Sequence, residues 1–167
     1  DWTALRGQLT RWASELGFQS VGVSGTDLSE AETYLARWLD EGRHGEMGYM
    51  AKHGTARTRP AELVPGTVRV ITVRMDYWPD DARDPWDTLG DASSAYVSRY
   101  ALGRDYHKLM RNRLQQLATR IEEHVGSFGY RAFVDSAPVM EKPLSAKAGL
   151  GWMGKHTNLL TRDAGSW

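Results

Sequence analysis

The chain has 167 residues and no net charge, and its 41% hydrophobic content with seven tryptophans excludes a disordered or collagen-like polymer. One domain is expected, since domains run to about 100–200 residues. Zero net charge confines any attraction to nucleic acid or membrane to a local patch, and the absence of cysteine excludes a disulfide framework or a thiolate-held metal or cluster within these residues, so redox chemistry needs a borrowed cofactor.

From Trp2 to Leu16 the apolar residues Trp2, Leu5, Leu9, Trp12, Ala13 and Leu16 recur at three and four, which predicts an amphipathic helix stopped by Gly17. Phe18–Val23 is short and β-rich. Ser29 is expected to cap a second helix carrying Ala31, Tyr34, Leu35, Trp38 and Leu39, which ends at Gly42. A short helix is expected over Glu46–His53, between Gly45 and Gly54, and a basic turn at Arg57–Pro60 leads into a helical piece at Ala61–Val64. Val68–Met75 is the clearest strand, and Pro79–Asp91 reads as an acidic, mobile loop. A strand at Ala95–Arg99 precedes the longest helix, Arg104–Val125, whose Tyr106, Met110, Leu114, Leu117, Ile121 and Val125 form a core stripe. A strand at Tyr130–Val134, a helix at Met140–Ala148, a glycine loop and a strand at Thr157–Thr161 complete the chain. The fold class expected is α+β, a single mixed sheet covered by helices in one domain over residues 1–167.

No charged-then-apolar leader opens the chain, and no apolar run nears the roughly 18 residues that span a bilayer, so a cytoplasmic location without membrane association is expected. The chain starts at Asp1 without an initiator methionine and stops at Trp167, which reads as a fragment of something longer.

Gly149-Leu150-Gly151-Trp152-Met153-Gly154-Lys155-His156 matches two phosphate-binding patterns, Gly-x-Gly-x-x-Gly and a P-loop with His156 where Ser or Thr would hold magnesium. Both patterns need a strand before the glycines and a helix after them, and here the order is reversed. A nucleotide module is therefore the weaker alternative. The glycines either permit a tight turn or let a non-nucleotide cofactor approach the backbone.

Val134-Asp135-Ser136-Ala137-Pro138 places a carboxylate where a strand is expected to end. Asp135 or Ser136 would serve as an ordinary cap for the helix that follows. Alternatively, Asp135 is a general acid whose proton is kept by desolvation. Arg104, Lys108 and Arg111 make a basic stripe at helical spacing, with Arg113 and Arg120 elsewhere on the same helix. A solvated face explains the stripe, and a non-catalytic RNA-binding surface is its sharper reading. The five histidines follow no metal-ligand spacing, and His156 alone stands inside the glycine segment.

Taken together, Ser98–Lys108, Val134–Glu141 and Ala146–His156, with Gly48-Tyr49-Met50, Arg57 and Pro60–Gly66 before them, resemble the epoxyqueuosine reductases in order and spacing. The resemblance covers essentially the whole chain. It implies a cobalamin-dependent reductase that removes the epoxide oxygen of epoxyqueuosine in tRNA, the last step towards queuosine, on a fold similar to flavin nitroreductases. It implies that Asp135 is the catalytic acid beside the cofactor, and that Arg57, Ser98, Gly154, His156, Asn158 and Leu159 lie in or beside segments lining the corrin. Such reductases continue into a ferredoxin-like domain with two four-iron, four-sulfur clusters, often followed by helical repeats, which these residues lack. The chain alone is therefore expected to bind cobalamin at most, without turnover. Its expected partners are a tRNA and an external electron donor, and the expected state is a monomer.

Overall fold

The computed structural model describes residues 2–78 and 81–167. Helix α1 (Trp2–Glu15) follows the predicted spacing and buries Leu9 and Ala13. It closes as Gly17 turns to φ +80 while the Phe18 N–H reaches Ala13 O at 2.9 Å and the Gly17 N–H reaches Ser14 O at 2.9 Å. That turn drives Phe18 into the core and starts β1 (Ser20–Ser24), which pairs antiparallel with β2 (Val70–Arg74), Ser20 opposite Arg74.

Between these strands lie α2 (Ser29–Asp40) and α3 (Pro60–Leu63), the latter begun by a proline. The cap of α2 comes from Asp27, whose carboxylate accepts the Ser29 N–H at 3.0 Å, and not from Ser29 itself. The helix expected over Glu46–His53 is reduced to a 3-10 turn at Gly48–Met50, with a second at Gly54–Arg57, because Gly45 and Gly54 both take positive φ.

The expected loop over Pro79–Asp91 contains α4 (Pro85–Leu89), capped by the Asp84 carboxylate at 2.7 Å from Trp86 N, with a proline in its first turn. Pro79 and Asp80, with which that loop begins, lie outside the described residues. Ala95–Arg99 makes no strand and runs into a 3-10 turn at Arg99–Ala101. Helix α5 (Tyr106–Val125) ends at Gly126 with φ 90, and α6 (Glu141–Lys147) follows. Strands β3 (Trp152–Met153), β4 (Leu159–Thr161) and β5 (Gly165–Ser166) form an antiparallel sheet in that order.

The α+β class holds, but the single mixed sheet does not. Among the described residues there are two small sheets, of two and three strands, with antiparallel pairing throughout. Tyr130–Val134 forms no strand, since no backbone among the described residues pairs with it, and β-prone side chains alone do not make a ladder. The main core joins α1 to α5 through Leu9, Ala13, Leu16, Phe18, Leu117 and Ile121, and Val21, Val73 and Met75 of the first sheet pack against it. Val125, expected in the same stripe, is half-exposed because the last turn of α5 runs past that core. Arg113 and Arg120 are not merely solvated: Arg113 donates to Met75 Sδ at 3.1 Å, and Arg120 pairs with Glu15 of α1. Helix α6 contacts strands of both sheets and buries Leu144 and Ser145 between them. Among the described residues no helix is long and apolar enough to cross a membrane.

Candidate active site

The site begins at the entrance of α5. Asp105 is its cap: the carboxylate accepts the His107 backbone N–H at 3.0 Å and approaches the His107 ring Nδ1 at 2.9 Å. These two hydrogen bonds, the side-chain one first, hold the Asp105 carboxyl below the usual aspartate range. Fixing His107 at Nδ1 turns its Nε2 towards Asp135, 3.4 Å from Oδ2. The Tyr106 ring stacks on His107 with centroids 4.2 Å apart, and Tyr100 meets Tyr106 edge-on at 6.4 Å.

Asp135 stands at the apex of a very tight turn. Its φ is +54, and the following N–H, of Ser136, closes back onto Val134 O at 2.6 Å. A γ-turn of positive φ is rare and strained for an L-residue, so surrounding contacts must hold it. The Tyr106 hydroxyl donates to Asp135 Oδ2. That bond, with a smaller contribution from burial, pushes the phenol up to about 12, so Tyr106 remains a donor at neutral pH. On the backbone side, the Asp135 N–H donates to Glu141 Oε1 at 3.2 Å. Half-burial, and then the charge of Asp135, raise the Glu141 carboxyl above the usual glutamate range. The Asp135 side chain is 50% exposed, so a large substrate can reach it.

The next residue of α6 reaches the glycine segment. Lys142 Nζ donates to Asn158 Oδ1 at 3.1 Å, and the Asn158 carbonyl accepts the Gly154 N–H at 2.9 Å. A Cβ on Gly154 would come within 2.4 Å of the His156 ring, whereas one on Gly151 would meet Leu160 O at 2.1 Å. Gly151 is therefore required by the β3–β4 pairing. The P-loop reading fails here, because α6 precedes the glycines and β3 lies inside the motif.

The family described as "Epoxyqueuosine reductase QueG, DUF1730" matches residues 57–136, which include Arg57, the entrance of α5 and Asp135. An epoxyqueuosine reductase of Pseudomonas aeruginosa is 64% identical over 156 residues, covering 93% of this chain and 43% of that protein. One from Vibrio cholerae is 56% identical over 167 residues, covering 100% of this chain and 45% of the relative.

The chain is similar to epoxyqueuosine reductases along essentially its whole length.

It spans less than half the length of these curated relatives. Solved epoxyqueuosine reductases share the fold. The Streptococcus thermophilus structure superposes with a TM-score of 0.79 at 21% identity, covering 96% of this chain and 42% of that one. A crystal structure of an epoxyqueuosine reductase with a tRNA-Tyr epoxyqueuosine-modified stem loop gives 0.77 at 18% identity, covering 100% of this chain and 44% of the other.

The structure gathers some of the residues expected from the epoxyqueuosine reductase resemblance and separates others. Asp135, Gly154 and Asn158 are joined through Glu141 and Lys142, and His156 lies against Gly154. Leu159 is buried in β4. Ser98 is exposed and starts the turn that carries Tyr100 to Tyr106. Arg57 stands apart: it donates to Met50 O at 3.1 Å and Tyr49 O at 2.9 Å, bracing its own loop. Neither Asp135 nor Ser136 caps α6, whose first turn follows Met140 without a side-chain cap. Tyr106, His107, Glu141 and Lys142 were not singled out by the sequence, which placed Tyr106 in the core stripe. An aspartate cap at position 105 was the available signal, since it puts Tyr106 and His107 at the first two positions of the helix, at its open end.

Proposed function

We propose that this chain is the N-terminal, cobalamin-binding portion of an enzyme that reduces epoxyqueuosine to queuosine in tRNA, with Asp135 as the proton donor. The convergence of Tyr106, His107 and Glu141 on a half-exposed aspartate in a strained turn carries this reading. Opening the epoxide to an alkene consumes two electrons and two protons and releases water. The chain's part is the proton.

Asp135 gives its proton to the departing epoxide oxygen, which would otherwise leave as a poor, charged group. Tyr106 holds one carboxyl oxygen and fixes the orientation of the acid. His107, set between Asp105 and Asp135, is placed to return a proton from the open surface after each turnover.

The glycine segment, tied to Asp135 through Glu141, Lys142 and Asn158, suits a broad flat group. Trp152 and Met153 are 50% and 44% exposed directly before Gly154, giving an apolar surface, and Lys142 with Asn158 supplies polar contacts. Two surface hollows lie elsewhere, one beside Trp12 and Arg120 and one beside Ser29 and Thr58, and neither includes these residues. Among the described residues no group of three or more His, Asp or Glu side chains could hold a metal ion, and a corrin would bring its cobalt with the macrocycle's own ligands. Gly154, His156, Asn158 and Leu159 would hold cobalamin within a nitroreductase-like arrangement, with Ser98 and Arg57 contributing from separate segments. When bound, cobalamin supplies the reducing electrons through low-valent cobalt. The electrons come from an external donor through the two iron-sulfur clusters of the remaining chain, the RNA partner is an epoxyqueuosine-bearing tRNA, and the enzyme acts as a cytoplasmic monomer.

Two measurements test this. Hydroxocobalamin mixed with the chain and then repurified should leave its visible absorption bands on the protein. In the full-length enzyme, Asp135→Asn should keep those bands and lose product formation from an epoxyqueuosine stem-loop; near-normal product would remove Asp135 from the acid role.

A further inference from the structure

We propose that Glu141 is a positioning residue for the reaction, accepting the backbone N–H of Asp135 and so keeping the strained turn aimed at the substrate. This rests on the reading of Asp135 as the proton donor. Three groups hold the turn: Ser136 N–H closes it onto Val134 O at 2.6 Å, the Tyr106 hydroxyl takes the side chain, and Glu141 Oε1 takes the Asp135 N–H at 3.2 Å. Only the last ties the turn's backbone to a regular element.

That element is firm. Leu144 is 1% exposed, Ser145 Oγ donates to Glu141 O at 2.8 Å, and Lys142 anchors the same turn of α6 to Asn158. A positive-φ aspartate left to itself relaxes towards the ordinary right-handed regions, which would swing the carboxyl away from Tyr106 and His107. Glu141 is also a carboxyl held half-buried beside a second carboxyl, an unfavourable placement that an apolar residue would avoid. The acceptor function accounts for its presence.

Glu141 acts here as a hydrogen-bond acceptor and not as a charge, so the amide and alanine variants should part company. In full-length enzyme loaded with cobalamin and assayed on an epoxyqueuosine stem-loop, Glu141→Ala should lower kcat by about tenfold or more and leave KM within about twofold. Glu141→Gln keeps an acceptor oxygen and should hold kcat within about threefold. Adding Glu141→Ala to Asp135→Asn should cause no further loss, because the positioned group is already gone. Normal kcat in Glu141→Ala, an equal loss in Glu141→Gln, or a change confined to KM would each overturn the proposal. If Glu141→Ala does not fold, Glu141→Gln decides alone: near-normal kcat supports the acceptor role and a tenfold loss ends it. The two readings fail separately, since Asp135→Asn with full activity removes the acid, whereas an inactive Asp135→Asn beside a normal Glu141→Ala removes only the positioning role.

Discussion

Lys142 Nζ lies 3.1 Å from Asn158 Oδ1, which fastens the start of α6 to the loop before β4. Because Glu141, one residue earlier, accepts from the Asp135 N–H, consecutive residues of one helical turn reach both halves of the candidate site. A short helix thus sets the distance between the acid and the glycine segment. A double-mutant cycle with Lys142→Met and Asn158→Ala should give a coupling of about 1–2 kcal/mol in urea unfolding, in the range of a hydrogen bond to a charged group. A coupling near zero would mean that α6 and this loop are held by packing alone.

Removing only the hydroxyl of Tyr106 separates its two contacts. Tyr106→Phe keeps the ring on His107 and loses the donor to Asp135. Full-length Tyr106→Phe is expected to bind cobalamin normally by absorbance and to turn over about tenfold more slowly, roughly the cost of the one hydrogen bond that orients the carboxyl.

Two glycines in one loop should respond differently to alanine. At Gly151 the added methyl meets the backbone oxygen of Leu160, which cannot move without opening β3 from β4, so a loss of about 2–3 kcal/mol is expected. At Gly154 it meets the exposed His156 ring, which can turn aside, and the loss should stay below about 1 kcal/mol. Thermal or urea melts of both variants decide the order. Cobalamin absorbance on Gly154→Ala then reports whether that position contacts the cofactor.

The Glu141 carboxyl gives a signed pH dependence. Its folded pKa lies above the ordinary glutamate value of 4.5, raised by burial and then by the charge of Asp135. The proton is therefore bound more tightly in the folded chain, and the associated stability is fully present below about pH 4.5 and lost as pH rises through the folded value. Glu141→Gln cannot lose a proton there. Its stability relative to the parent should climb from about pH 4.5 upward and level off once Glu141 is ionised, as read from urea midpoints across pH. Asp105 has the opposite sign, lowered by its hydrogen bonds from His107, so Asp105→Asn should lose most relative to the parent above pH 3.8.

Periodicity made the helical half of the fold legible. The three-four spacing of Leu9, Ala13 and Leu16 in α1, and of Leu117 and Ile121 in α5, identified both sides of the main core, because each helix has to bury a continuous stripe. The sheets were less legible. Val70–Arg74 announced itself by β-branched residues, whereas Tyr130–Val134, with Tyr130, Phe133 and Val134, forms no strand with any described residue. Strand formation depends on a partner elsewhere in the chain, which local composition does not reveal.

The sequence by itself pointed to the epoxyqueuosine reductases, laid out the helices of the core and singled out Asp135 and the glycine segment as candidates, since these depend on residue identity and short spacing. Only the tertiary structure decided what surrounds the acid. Tyr106 is 29 residues from Asp135 along the chain and would pass for a core aromatic, and Asn158 is 16 residues from the lysine that holds it. Hydrogen bonds across such separations exist only after α5 and α6 have docked, so the folded chain, and no local pattern, makes a strained aspartate into a supported one.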